Sequence, residues 1–362
     1  MKRRSIKLGD ELVELVESGL KGDNIGLKHG IKALEKYIPF IRRGTIFTII
    51  AGTGVGKSLF LMHSLAFEAL LDYYYNHKKN GKVFYWLCYS MEMGREDLLA
   101  RLGSYILFRD YDEAITPLDL ISGGNNQVSD RAKLLINTEI KDLLNELSPY
   151  IEIRGAASVL DIDARIEDFY KQHGNLEVDK YHTLSYETEV NPFLMVTADH
   201  VGNFTGEGGK KSKIDLFSEI AIKWQIACNT SFLSVQQLNR SEGAIEKLKF
   251  QKDPKPTLAE AKDSGGLIDA SHIVIAIFSP ARFDIANYFK FNILDNELTA
   301  LKDNYRAIIV LKNRHGGVGV VHSLFYGAVG FFKSISSALK LLLDDPEKGM
   351  SVVKKIRKLT KV

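Results

Sequence analysis

The chain has 362 residues, of which 45% are hydrophobic and 26% charged, a balance that excludes collagen-like and wholly disordered chains. Its 48 Lys and Arg stand against 45 Asp and Glu, a net charge of only +3. That excludes a histone-like polycation, so any basic nucleic-acid surface must be local.

The opening stretch MKRRSIKLGDELVELVESGL starts basic, but Asp10, Glu11 and Glu14 interrupt any secretory core. No segment approaches the ~18–20 uninterrupted apolar residues of a membrane span. Both features predict a cytoplasmic protein with no membrane partner. Between residues 6 and 20, Ile6, Leu12, Val13, Leu15, Val16 and Leu20 share one helical face, which must be covered by the chain's own domain or by a neighbouring copy. Residues 1–24 are therefore read as an N-terminal linker helix, and GDNIGLKHG as linker.

TIFTIIA (45–51) is the first strand, and it runs through GTGVGKS into a helical stretch beginning SLFLMHSLAF. KVFYWLCY (82–89) is the second, followed by the helix REDLLARLGSYILF. Residues 110–148 read as helical excursions, and YIEIRG with the helix around DIDARIEDFY brings the chain back to the core. FLMVTAD (193–199), TSFLSVQQ (230–237), HIVIAIF (272–278) and AIIVLKN (307–313) complete the set. Apolar strand-length runs alternating with helical patterns predict an α/β fold, a mainly parallel sheet flanked by helices. Cys88 and Cys228 lie in apolar runs without Cys or His at metal-ligand spacing, which predicts two buried thiols.

Ala51 leads into Gly52, Thr53, Gly54, Val55, Gly56, Lys57 and Ser58, a P-loop in relaxed form with Ala where Gly is commoner. A buried strand before it and a helix after it let glycine-permitted backbone aim successive N–H groups at phosphate oxygens. Lys57 then reaches the β- and γ-phosphates of ATP, and Ser58 ligates Mg²⁺. A second carboxylate for the Mg²⁺ shell is expected at the end of a buried strand, and Asp199 ends FLMVTAD. Hydrolysis also needs a group to deprotonate the attacking water. Glu92, just past the strand 82–89, is so placed; it would equally suit the N-terminus of the next helix.

With these residues in order, the chain resembles the RecA-like ATPase domain of DnaB-type replicative DNA helicases, over roughly residues 25–333. YSMEMGREDLLARLGS resembles the segment with that family's catalytic glutamate, which falls on Glu92. FLMVTADHVGNF resembles the Walker B strand, carrying the metal-site aspartate onto Asp199. VQQLNRS resembles the motif whose glutamine senses the γ-phosphate, here Gln237. AKDSGGLIDASHIVIAI resembles the DNA-facing loop and its following strand, and VLKNRHGGVGVV the late hairpin whose basic pair acts on the neighbouring subunit's nucleotide. The resemblance makes Lys312 the piston and Arg314 the arginine finger. Gly316, Gly317 and Gly319 suit a tight turn that pushes such side chains off the surface; an exposed edge-strand charge pair would look the same.

Departures are Lys262-Asp263 where Arg-Glu is frequent, His200 where an aromatic is common, and an enlarged connection at 281–304. Little precedes residue 25, so the chain resembles a minimal, phage-type version without the N-terminal helical domain. The resemblance implies a ring, a hexamer in that family, that moves 5′ to 3′ on single-stranded DNA, with primase, polymerase or loader as partners. A RecA-like recombination or loading factor that separates no strands is the alternative, and a ring ATPase indifferent to DNA a third reading. Candidate DNA contacts are Lys210, Lys211 and Lys213 in GNFTGEGGKKSK, with Phe204 as a stacking aromatic, and Arg240, Lys262, Asp263 and Gly265 in the loop 240–266. That second loop also carries Lys247, Lys249 and Lys252. Residues 334–362 read as a basic tail.

Overall fold

The computed structural model describes residues 7–20, 26–80, 82–122, 128–180, 183–238, 254–260, 265–289, 291–292 and 304–335. In chain order the strands are β1 (Ile46–Ala51), β2 (Phe84–Ser90), β3 (Ile151–Arg154), β4 (Asn175–Val178), β5 (Leu184–Glu187), β6 (Phe193–Asp199) and β7 (Ser231–Gln237). They continue with β8 (Ile273–Phe278), β9 (Asn287–Tyr288), β10 (Phe291–Asn292), β11 (Tyr305–Asn313), β12 (Gly319–Tyr326) and β13 (Phe331–Ser334). The main sheet has nine strands in the order β13-β12-β11-β8-β1-β7-β6-β2-β3. From β8 to β3 every pairing is parallel, while β11, β12 and β13 join antiparallel. The mainly parallel sheet expected from alternating strand and helix patterns is the one observed.

β1 lies at the centre, and all six of its residues are buried. Continuous apolar runs of this kind belong to strands covered on both faces. The period of two sends Phe47, Ile49 and Ala51 to one face and Ile46 and Ile50 to the other. Helical turns running without a break from Lys57 to His77 cover the first face. Their middle, Phe60–Phe67, is π-helical and buried all round, as a segment apolar on every side must be. The Arg95–Tyr111 helix packs beside it, and the Val159–His173 and Lys210–Cys228 helices cover the opposite face. Cys88 and Cys228 are buried free thiols, as expected.

Two expectations change. Residues 26–30, read as linker, are core: Leu27 pairs with Ile41, and Leu27 and Ile31 are buried. The β4–β5 hairpin is not among the expected strands, because only four residues alternate on each arm and most are half-exposed or exposed. The Leu8–Leu20 helix forms, yet Leu8, Leu12, Val13, Leu15, Val16 and Leu20 are all more than half exposed, so its apolar face is uncovered. Among the described residues no helix is long and apolar enough to cross a membrane.

Candidate active site

Parallel register brings four sequence-predicted groups to one edge of the sheet. Ala51 is opposite Gln237 in β7, and Ser90 is opposite Asp199 in β6. The P-loop, Gln237, Asp199 and Glu92 therefore all leave the C-terminal ends of neighbouring strands, where open α/β sheets bind ligands. Gly54 and Gly56 have φ of +68° and +96°, which L side chains avoid. Gly56 caps the helical turn that starts at Lys57, a residue only 7% exposed.

Alternation along β6 puts Phe193, Met195, Thr197 and Asp199 on the face that the 57–77 helical segment covers. Asp199 is fully buried there, and its Oδ1 accepts the Ser58 hydroxyl at 3.1 Å. Its Oδ2 is buried without a hydrogen-bond partner. Burial raises the Asp199 carboxyl to about 6; the Ser58 bond opposes the rise and the nearby Glu92 charge adds to it. A buried carboxylate with one oxygen on a serine hydroxyl and the other orphaned fits a hard divalent cation such as Mg²⁺, which takes oxygen ligands.

Glu92 lies beyond β2, three residues before the helix that begins at Arg95, so it is not part of that helix. Its Oε1 faces Nε2 of His200 at 3.4 Å. The other ring nitrogen of His200, Nδ1, accepts the Gly202 N–H at 2.8 Å, which leaves Nε2 to carry the proton toward Glu92. Burial holds His200 below its ordinary value, so the ring is uncharged at neutral pH. Gln237 Nε2 donates to the Thr53 hydroxyl at 3.3 Å, joining the expected sensor to the P-loop itself.

Lys312 and Arg314 are elsewhere. Arg314 N–H donates to the His272 carbonyl, and His272 N–H to that of Ile46, so Arg314 sits level with the start of β1, while Lys312 pairs with Val274, level with Thr48. Five residue steps, about 16 Å at strand rise, separate the level of Arg314 from Ala51, and three steps, about 10 Å, that of Lys312. Both side chains rest on carbonyls at the end of the Gly265–Ala270 helix: Lys312 Nζ on Ile268 and Asp269 at 2.9 and 3.0 Å, Arg314 Nη2 on Asp269 at 2.9 Å. Gly316, Gly317 and Gly319 are not needed for positive φ. A Cβ at Gly316 would instead meet the Asn313 side chain and the Tyr37 carbonyl, and one at Gly319 the Tyr37 hydroxyl.

The DNA candidates divide. Arg240, Lys262 and Asp263, together with Lys247, Lys249, Lys252 and the tail from 336 onward, lie outside the described residues. Gly265 opens the Gly265–Ala270 helix. Lys210, Lys211 and Lys213 stand on the first turn of the Lys210–Cys228 helix rather than on a loop. Lys211 is exposed, whereas Lys213 Nζ is tied to the Phe204 carbonyl at 3.0 Å. Phe204 cannot stack on a base: it is 3% exposed and packs its ring on Phe217.

The sequence model of the DnaB-like helicase C-terminal domain matches residues 26–334. The chain belongs to this family. Membership brings ATP binding and hydrolysis and a role in DNA replication. Among solved structures, one of an ATPase domain by itself aligns over 91% of this chain and 99% of its own, at 18% identity and a TM-score of 0.63. A DnaB-like replicative helicase, solved with a view to its interactions with primase, aligns over 91% of this chain and 68% of its own, at 19% identity and a TM-score of 0.64. These likenesses establish the shared fold. Comparison with curated proteins returned no significant match.

Proposed function

We propose that the chain is a ring-forming, ATP-driven helicase, a hexamer, that moves 5′ to 3′ on single-stranded DNA and separates a duplex ahead of it. The observation that carries this reading is the division of the site. Asp199, Ser58, Lys57 and Gln237 meet at one sheet edge, while Lys312 and Arg314 lie about 10 and 16 Å along the strands toward the other, their side chains on the Ile268 and Asp269 carbonyls. A basic pair held away from its own P-loop suits a phosphate on a neighbouring copy. The uncovered apolar face of the Leu8–Leu20 helix also suits an assembly.

In this mechanism the N–H groups of 52–58 and Lys57 hold the β- and γ-phosphates. Ser58 and Asp199 would hold Mg²⁺, which neutralises charge shared between those phosphates. Glu92 accepts the proton of the attacking water, its carboxylate kept in place by His200. Gln237 links the state of the γ-phosphate to the strand that leads toward the DNA loops. Arg314 from the next copy stabilises transition-state charge, an effect worth about 10³–10⁵ in comparable sites. Lys210 and Lys211, with Arg240, Lys262, Asp263 and Gly265 by resemblance, serve the DNA strand, and a primase is the first protein partner to test.

The decisive experiment is ATP turnover with and without single-stranded DNA, paired with strand displacement on a fork bearing a free 5′ tail. Stimulated turnover with displacement is expected. Stimulated turnover without displacement of either fork polarity would favour a DNA-dependent switch, and turnover indifferent to DNA would remove the helicase reading.

A further inference from the structure

The P-loop is gripped from outside by two arginines that no part of its motif contains. Arg282 donates through Nη1 to the Thr53 carbonyl and through Nη2 to the Gly54 carbonyl, the latter at 2.9 Å. Arg306 donates through Nε to the Val55 carbonyl at 3.1 Å. Three successive carbonyls of one phosphate-binding loop thus end on guanidinium groups.

Peptide geometry gives this arrangement a consequence. In a planar trans peptide the C=O and N–H of one unit point in opposite directions. Holding the carbonyls of 53, 54 and 55 on the arginine side turns the N–H groups of Gly54, Val55 and Gly56 to the other side, where a phosphate needs donors. The two arginines arrive from opposite ends of one connection: Arg282 from the Pro280–Phe283 turn after β8, Arg306 from the start of β11.

They differ in role. Arg306 is buried, also donates to the Ser279 hydroxyl and the Tyr305 carbonyl, and lies over the Phe325 ring, so it is part of the core. Arg282 is exposed, and its two bonds to the P-loop are what orient it. Gly54 accommodates it: besides its positive φ, a Cβ there would meet Arg282 Nη2 at 2.6 Å. The planar fork presents two N–H donors in a fixed geometry to these two adjacent carbonyls, whereas a lysine ammonium is a point charge on a flexible stem that is not pre-set for them.

We propose that Arg282 is a positioning residue for the nucleotide phosphates, a fork that with Arg306 pins the carbonyl side of the P-loop and aims its N–H donors before ATP arrives. The proposal rests on residues 51–58 being the phosphate site. It predicts mainly lost binding energy rather than a lost chemical step, since Glu92, the proposed acceptor of the water's proton, stays in place.

The test measures Mg²⁺–ADP affinity, KM for ATP, kcat and melting temperature of the full chain as wild type, Arg282→Gln, Arg282→Lys and Lys57→Ala. Arg282→Gln is expected to weaken ADP and raise KM by about tenfold, with kcat within about twofold and melting unchanged. Arg282→Lys should lose nearly as much. Affinity within twofold of wild type in both variants would overturn the clamp, as would a lowered melting temperature with unaltered affinity. Full rescue by lysine would show that a single cationic point suffices at this position, and overturns the fork. ADP binding that survives in Lys57→Ala would instead remove the phosphate-site assignment beneath the proposal.

Discussion

At the C-terminal edge of the nine-stranded sheet, polar groups are joined to one another around the buried Asp199 and His200: Ser58 to Asp199, Gln237 to Thr53, Glu92 facing His200. At the opposite edge, Lys312 and Arg314 lie partly exposed on the carbonyls of Ile268 and Asp269, with His272 and His315 stacked beside them. Burial, reinforced by the Arg314 charge, holds the Lys312 amine below its ordinary value. The first edge has acids and an orphaned oxygen with a cation to gain. The second has cations resting on partial charges at the end of a six-residue helix, a weak hold that a phosphate dianion would outcompete. The contrast teaches that one chain gathers the groups that fit a phosphate and a divalent cation at one edge and turns its basic pair to the other, which under the proposed function is where a neighbouring copy's nucleotide would meet it.

The sharpest way to break that comparison is Arg314→Ala. If the arginine serves a neighbour, pure variant protein should lose about 10³-fold or more in kcat, with ADP affinity intact because the P-loop edge is untouched. Mixing it with Glu92→Gln protein should restore part of the turnover, since some interfaces then pair an intact P-loop edge with an intact finger. Steady-state ATPase across mixing ratios decides it: a flat response would place the finger in cis or nowhere.

A second prediction sharpens the comparison from the acid side. Burial raises Asp199 from an ordinary value of 3.8 to about 6. The folded state therefore holds that proton more tightly than the unfolded chain. Stability from this group is greatest below about pH 4, falls as pH rises through about 6, and is flat above. The full difference is worth about 3 kcal/mol. Asp199→Asn should thus raise the melting temperature of the nucleotide-free protein at pH 7.5, while hydrolysis is lost. Melting curves from pH 4 to 8 check this: the gap between variant and wild type should open with rising pH, and a constant gap would contradict it.

The same contrast explains how much can be read from the chain alone. Strands buried on both faces spell continuous apolar runs, so β1, β2, β6, β7, β8 and β11 are legible, and with them the edge that gathers Lys57, Glu92, Asp199 and Gln237. Arg282 and Arg306 are not, because their partners are backbone carbonyls, to which any residue type contributes alike. The helix start at Lys210 is hidden by its own chemistry. Three lysines in the first turn oppose the helix dipole, and the preceding Gly209 offers no side-chain cap. Packing of Ile214, Phe217, Ala221 and Trp224 overrides that local preference. The glycines of the late hairpin mislead in the other direction, since the close approach of Asn313 and Tyr37 accounts for Gly316 and that of Tyr37 for Gly319.

The smallest expected effect tests the DNA assignment within a single helical turn. Lys211 is exposed, and Lys213 spends its ammonium on the Phe204 carbonyl at 3.0 Å, close to the ring that Phe217 holds in the core. A lysine that neutralises one phosphate of a single strand contributes about 0.7 to the slope of log K against log salt. Lys211→Ala should therefore reduce that slope by about 0.7, with no change in melting. Lys213→Ala should leave the slope alone and lower stability by about 1 kcal/mol, the usual worth of such a bond. Fluorescence titrations of an oligothymidylate at several salt concentrations separate the two. Equal slope losses would mean that Lys213 leaves Phe204 when DNA binds, and an unchanged slope in both would move the strand's path away from this helix toward the 240–266 loop.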